Sequence, residues 1–123
     1  MLLLSFALLL LTALLGTVLA TLHLQAGRMR PLRWPVWGLH GLLGLAGFIL
    51  LLLSLGGPPR GAAMGLANFG LFSAVLLAVA LLAGLEMLFE RLRYHRLPIL
   101  VVGLHATLAI GAVIILAAYT MMG

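Results

Sequence analysis

Four long apolar segments account for most of this chain and leave only short polar connections between them. They cover about residues 2–25, 36–55, 64–88 and 98–120. Each is close to the roughly 20 residues that an α-helix needs to cross a hydrocarbon core of about 30 Å. The mean hydropathy of +1.32 and the charged fraction of 7% exclude an ordinary soluble domain. The sequence therefore predicts an all-α membrane protein with a single domain over residues 1–123.

The connections between these segments are too short for anything except turns between neighbouring helices. They cover about residues 26–35, 56–63 and 89–97. Because short connections join antiparallel neighbours, we expect an up-down-up-down four-transmembrane-helix bundle. The first segment lacks a basic stretch before it and is longer than the apolar part of a signal peptide, so we expect it to be a retained helix.

Arginine is distributed very unevenly among the three connections. The first and third contain six arginines, whereas the second contains only Arg60; the six are Arg28, Arg30, Arg33, Arg91, Arg93 and Arg96. By the positive-inside rule, the two Arg-rich connections are cytoplasmic and both termini face the other side of a bacterial inner membrane. Trp34, Trp37 and Tyr94 fall at the cytoplasmic interface, where aromatic belts form. This pattern indicates membrane topology rather than nucleic-acid binding.

An internal repeat is the most informative motif. Residues 28–35 match residues 91–98, and each run leads to a Gly-Leu-His sequence that ends at His40 or at His105. The offset is 63 in the connections and 65 at the histidines. We therefore expect two hairpins, over about 1–62 and 63–123, related by a pseudo-two-fold axis along the membrane normal. His40 and His105 should then lie at equal depth and face each other across that axis.

Such a histidine pair suits a haem with two axial imidazole ligands, because a two-fold axis through the iron exchanges the ligands. The neighbours one and two turns deeper are small and leave room for a macrocycle; they are Gly44, Gly47, Ala109 and Ala112. Arg33 and Arg96 are candidates for neutralising the propionates. The chain has no Cys, so thioether attachment is excluded and the haem would be of the b type.

Two other interpretations of these residues stay open. Small residues at helical spacing are also typical of helix–helix packing in membranes, and an intramembrane histidine can donate a hydrogen bond across helices or contact a quinone. Ionisable residues inside a membrane are usually functional, however, and the matched pair favours the haem.

The remaining polar residues suggest a second haem or a quinone and proton site. His23 and Glu86 each lie five residues before an Arg-rich run, which predicts that they share one level. Glu90 lies four residues after Glu86, and His95 lies in the third connection. Salt bridges to Arg93 or to the first connection are the simpler account of the two glutamates, and a solvated interfacial position is the simpler account of His95. A single haem is therefore the main interpretation.

With these histidines, small flanking residues and Arg-rich connections, the chain resembles the small four-helix b-type cytochromes of bacterial inner membranes, including haem-bearing membrane anchors of respiratory dehydrogenases. The resemblance implies one-electron transfer between the quinone pool and a partner redox protein. Di-haem members carry four histidines within their helices, whereas His95 lies in a connection here.

The competing function is a haem-free accessory or scaffold subunit of a larger respiratory or photosynthetic complex. Such a subunit would contact other membrane subunits, or a second copy, through small residues such as Gly65, Gly70 and Ala74. A Gly-rich phosphate loop, a Ser–His–Asp order and an HExxH motif are all missing from the sequence. Both functions therefore describe a subunit or an electron carrier rather than a stand-alone enzyme.

Overall fold

The protein folds into four long helices and one short 3₁₀ helix. The computed structural model describes residues 1–25, 34–94 and 98–122. The long helices are α1 (Leu2–Gln25), α2 (Trp34–Ser54), α3 (Phe69–Tyr94) and α4 (Ile99–Met122), and the 3₁₀ helix is Ala62–Met64. The all-α prediction is confirmed, with no strand in the described ranges. Each long helix is long and apolar enough to cross a membrane, as expected of a multi-pass membrane protein.

The bounds of α3 differ from the predicted segment at both ends. Gly61 and Gly65 have φ angles of 64° and 74°, in the left-handed region that favours glycine, and they enclose the 3₁₀ helix. Helix α3 consequently begins at Phe69 rather than near residue 64. At the other end, the helix continues beyond the apolar run because Glu, Arg and Leu are good helix formers. Arg91 and Arg93 are therefore helical, and the predicted connection over 89–97 was wrong for its first six residues.

Each helix packs against two neighbours. Helix α1 contacts α2 and α4, and α3 contacts α4 and α2. In the described part of the chain, the backbones of α1 and α3, and those of α2 and α4, do not come into contact. The four helices therefore form a ring, with α2 and α4 on one diagonal and α1 and α3 on the other.

The outer surface of the bundle is apolar. Leu3, Leu42, Leu82 and Leu100 are among its many exposed large side chains. The buried core is small and includes Leu51, Ala74, Ala112, Leu116 and Tyr119. This distribution suits contact with lipid, in which helices associate through close packing and interhelical hydrogen bonds rather than through hydrophobic burial.

Two buried serines make equivalent bonds in the two hairpins. The Ser5 hydroxyl donates to the Gly47 carbonyl at 2.8 Å, which joins α1 to α2. The Ser73 hydroxyl donates to the Ala112 carbonyl at 2.9 Å, which joins α3 to α4. The two donors are 68 positions apart and the two acceptors are 65 apart. The repeat therefore includes the contacts between the helices of each hairpin.

Removing either of these interhelical bonds is expected to destabilise the bundle modestly. Ser5→Ala and Ser73→Ala should each lower the free energy of unfolding by roughly 0.5–2 kcal/mol, the range of hydrogen bonds between membrane helices. Unfolding in mixed micelles measures the change. Ser54→Ala is the matched control, because the Ser54 hydroxyl bonds the Leu50 carbonyl of its own helix. A loss in the control equal to that in Ser5→Ala would contradict the interhelical role.

Candidate functional site

His40 and His105 meet in the middle of the helix ring. His40 lies on α2 and His105 on α4, the two helices of one diagonal. Their ring centroids are 6.0 Å apart, and the ring planes are inclined at 68°. Both side chains are half-buried. The structure thus brings together the two histidines that the repeat singles out.

Each imidazole is fixed by a backbone carbonyl of the neighbouring helix. His40 Nδ1 lies 3.0 Å from the Thr12 carbonyl oxygen, and His105 Nδ1 lies 2.7 Å from the Ala80 carbonyl oxygen. Because a carbonyl only accepts, each neutral ring carries its proton on Nδ1 and donates it. The lone pair is then on Nε2. In metal-binding histidines, the ring nitrogen that does not bind the metal usually donates its proton to a carboxylate or a backbone carbonyl in the same way.

Glycines of α1 and α3 make room for the two rings. A Cβ on Gly16 would lie 2.7 Å from His40 Cε1, and a Cβ on Gly84 would lie 3.2 Å from His105 Cε1. These glycines are 68 positions apart, as are Thr12 and Ala80, whose carbonyls hold the rings. The environment of the histidines is therefore repeated along with the histidines themselves.

Sequence reasoning missed these four supporting residues. A signal for two of them was present, since a serine is followed eleven positions later by a glycine in both α1 and α3. The Arg-rich runs suggested an offset of 63, however, and at that offset the two helices do not match.

The small residues predicted to clear space for a macrocycle have mainly packing contacts. A Cβ on Gly44 would lie 3.2 Å from Thr12 Cγ2, and a Cβ on Gly47 would lie 2.8 Å from Leu9 Cγ. Ala112 is fully buried and accepts the Ser73 bond, whereas Ala109 is half-buried. These contacts favour the helix-packing interpretation for Gly44, Gly47 and Ala112.

The predicted propionate partners and second site are only partly covered by the structure. Arg33 and Arg96, predicted for the propionates, and His95, predicted for the second site, lie outside the described residues. His23 is half-buried in the last turn of α1, Glu86 is exposed and Glu90 is half-buried.

The spacing of the serine and glycine pairs argues against the predicted common level of His23 and Glu86. At the spacing of 68 given by the serine and glycine pairs, the equivalent of His23 is Arg91, and the equivalent of Glu86 is Val18. By this spacing, His23 and Glu86 differ in level by five helical positions, or about 7.5 Å along the helix axis.

Arg93 lies over the aromatic rings of Phe89 and Tyr94 on its own helix.

Trp37 and Arg91 form a further contact, between α2 and α3. The Arg91 Cζ atom lies 5.7 Å from the centre of the Trp37 ring, at cation–π distance. The indole Nε1 is buried and has no hydrogen-bond partner among the described residues. Trp37 precedes His40 by three residues, about one turn of α2.

The described donor set at this site consists of the two imidazoles. Among residues 1–25, 34–94 and 98–122, no group of three or more His, Cys, Asp or Glu is placed to hold a metal ion. A protein zinc site needs three or four such ligands. A porphyrin supplies four nitrogens of its own, so two imidazoles complete the coordination of its iron.

Comparison with known proteins gives no further assignment. No protein-family model matches the sequence, and neither curated proteins nor solved structures provide a match. The function is therefore inferred from the geometry of the histidine pair.

Proposed function

We propose that the protein is a membrane-embedded b-type cytochrome in which His40 and His105 are the axial ligands of one haem. The observation that carries the proposal is the pair of imidazoles whose ring centroids lie 6.0 Å apart, each held through Nδ1 by a carbonyl. The pair is repeated between the hairpins, as the bonds of Ser5 and Ser73 are. The haem-free accessory subunit would instead use the two histidines only as hydrogen-bond donors between helices.

The spacing of the rings agrees with this role. With metal–nitrogen bonds of about 2 Å and ring atoms about 1.2 Å from the ring centre, two imidazoles on opposite sides of one metal have centres about 6.4 Å apart. The observed separation of the ring centroids is 6.0 Å. The chain has no Cys, so the group would be held without thioether bonds.

Electron transfer is the function that follows from two axial histidines. A haem iron with both axial positions filled by protein exchanges single electrons and offers no open position to a substrate. The role of this chain is then to fix the two rings and to surround them with apolar helices. We infer that the donor and the acceptor are the quinone pool and a partner redox protein, and that other membrane subunits or further copies pack on the apolar outer surface.

The proposal includes the topology. Helices α1 and α2 are antiparallel. Ser5, near the start of α1, contacts Gly47, whereas Thr12, further along α1, contacts His40, which lies earlier in α2. This order supports an up-down-up-down bundle. Arg91 and Arg93 end α3, so the positive-inside rule assigns this end to the cytoplasm and both termini to the other side of a bacterial inner membrane. The haem would then lie in the cytoplasmic half.

We do not extend the proposal to a second haem. The residue of the second hairpin equivalent to His23 is Arg91, and a guanidinium stays protonated and offers no lone pair to a metal. A quinone or proton site that involves His23, Glu86, Glu90 and His95 remains a separate hypothesis.

The experiment that tests the function is a reduced-minus-oxidised difference spectrum of membranes containing the overproduced protein. A sharp α-band on dithionite reduction is expected, absent from membranes that lack the protein. A colourless protein after expression with ample haem would contradict the cytochrome and favour the accessory subunit.

A further inference from the structure

The buried indole N–H of Trp37 needs a hydrogen-bond acceptor. Among the described residues none is present, although Nε1 is closed off from solvent. An unsatisfied buried donor loses the full free energy of its hydration, which is larger than the net gain from a typical hydrogen bond. A bound ligand with an acceptor at this position would remove that penalty.

The charge beside the indole indicates what kind of acceptor fits. The Arg91 guanidinium lies over the Trp37 ring, with Cζ 5.7 Å from its centre. A guanidinium next to an N–H donor favours an anionic oxygen over a neutral carbonyl, because charge-assisted hydrogen bonds are the stronger ones. A carboxylate, with two acceptor oxygens, can bond both groups.

The helix register places Trp37 one turn from His40 and Arg91 two turns from the glycine beside His105. Arg91 follows Gly84 by seven residues, which is about 20° short of two full turns, so both residues lie on one stripe of α3. Gly84 is the glycine that accommodates the His105 ring. Trp37 lies one turn from His40 on α2. The Trp37–Arg91 pair is therefore the cytoplasmic rim of the histidine site.

We propose that Trp37 Nε1 and the Arg91 guanidinium together bind one carboxylate, and that this carboxylate is a propionate of the haem. The inference rests on the proposed function and adds to it a ligand contact within the described residues. It differs from the assignment of the propionates to Arg33 and Arg96, which rested on the sequence alone.

The test is a haem titration of the purified apoprotein in detergent, followed by absorbance, with haem b and with haem b dimethyl ester. Trp37→Phe keeps the ring but removes the N–H, and Arg91→Gln removes the charge. Each should weaken binding of haem b by about tenfold or more, as expected for a lost hydrogen bond to a charged group. The dimethyl ester has no carboxylate, so it should bind wild type and both variants within about twofold.

The ester also reports whether each variant folds, since a misfolded chain would bind neither compound. Arg93→Gln is the matched charge control, because Arg93 lies over Phe89 and Tyr94 instead of Trp37. Equal weakening of both haem compounds, or unchanged binding of haem b by both variants, would overturn the carboxylate site alone. Failure of the wild-type protein to bind either compound would overturn the site and the proposed function together.

Discussion

Alanine at His40 or at His105 is expected to remove the six-coordinate haem spectrum from the protein. Each substitution deletes one of the two proposed axial ligands, and the opposite helix offers no other imidazole at that level among the described residues. We expect either loss of the haem or a five-coordinate haem that binds carbon monoxide after reduction, which the wild-type protein should not do. Absorbance spectra of the purified variants, with and without carbon monoxide, measure both outcomes.

The matched control for these variants is His23→Ala. His23 is also an intramembrane histidine, in the last turn of α1, but its counterpart in the other hairpin is Arg91. Its removal should leave the α-band and the six-coordinate state unchanged. An unchanged spectrum in His40→Ala, or the same loss in His23→Ala as in the other two, would contradict the assignment of the ligands.

Gly16→Ala is expected to have the second largest effect, although Gly16 itself has no side chain to contribute. A Cβ there would lie 2.7 Å from His40 Cε1, so the imidazole must move away from α1 and from the Thr12 carbonyl. In the absence of a clash, a Gly-to-Ala change stabilises a helix by about 1 kcal/mol. A loss of haem affinity in Gly16→Ala would therefore have to come from the clash with His40. With overpacking of about 1–3 kcal/mol, haem affinity should fall by roughly 10–100-fold.

The controls for this substitution are other glycines of the bundle. Gly84→Ala should have a smaller effect in the same direction, because the closest approach to His105 is 3.2 Å. Gly38→Ala and Gly103→Ala should have almost none, since a Cβ at either position meets nothing within 4 Å. Haem titration of the four variants gives the order of their haem affinities. Equal affinities for Gly16→Ala and Gly38→Ala would show that the ring is not constrained by α1.

The fold was largely predictable because membrane insertion imposes a simple rule. A run of about 20 apolar residues is long enough to span the bilayer, and four such runs gave the four helices. Their ends were less predictable, because hydropathy marks the bilayer boundary rather than the end of hydrogen bonding. Arg91 and Arg93 are too polar for the bilayer core yet remain in α3, and Gly61 and Gly65 delay the start of that helix to Phe69.

The histidine pair was predictable from the repeat, but the groups that fix it were not. His40 and His105 follow the same Gly-Leu-His motif at an offset of 65. The contacts that hold them are backbone carbonyls of Thr12 and Ala80, which any residue type provides and which leave no mark in a sequence. The unsatisfied Trp37 N–H is likewise visible only once the neighbouring helices are packed.

The measurement that tests the central claim most directly is the haem content of the purified protein by the pyridine haemochrome assay. One pair of histidines in each chain predicts one b-type haem per chain, lost in both His40→Ala and His105→Ala. A content of zero in protein expressed with ample haem would contradict the cytochrome. A content of two would contradict a single haem site, and one haem shared by two chains would contradict a site built from His40 and His105 of the same chain.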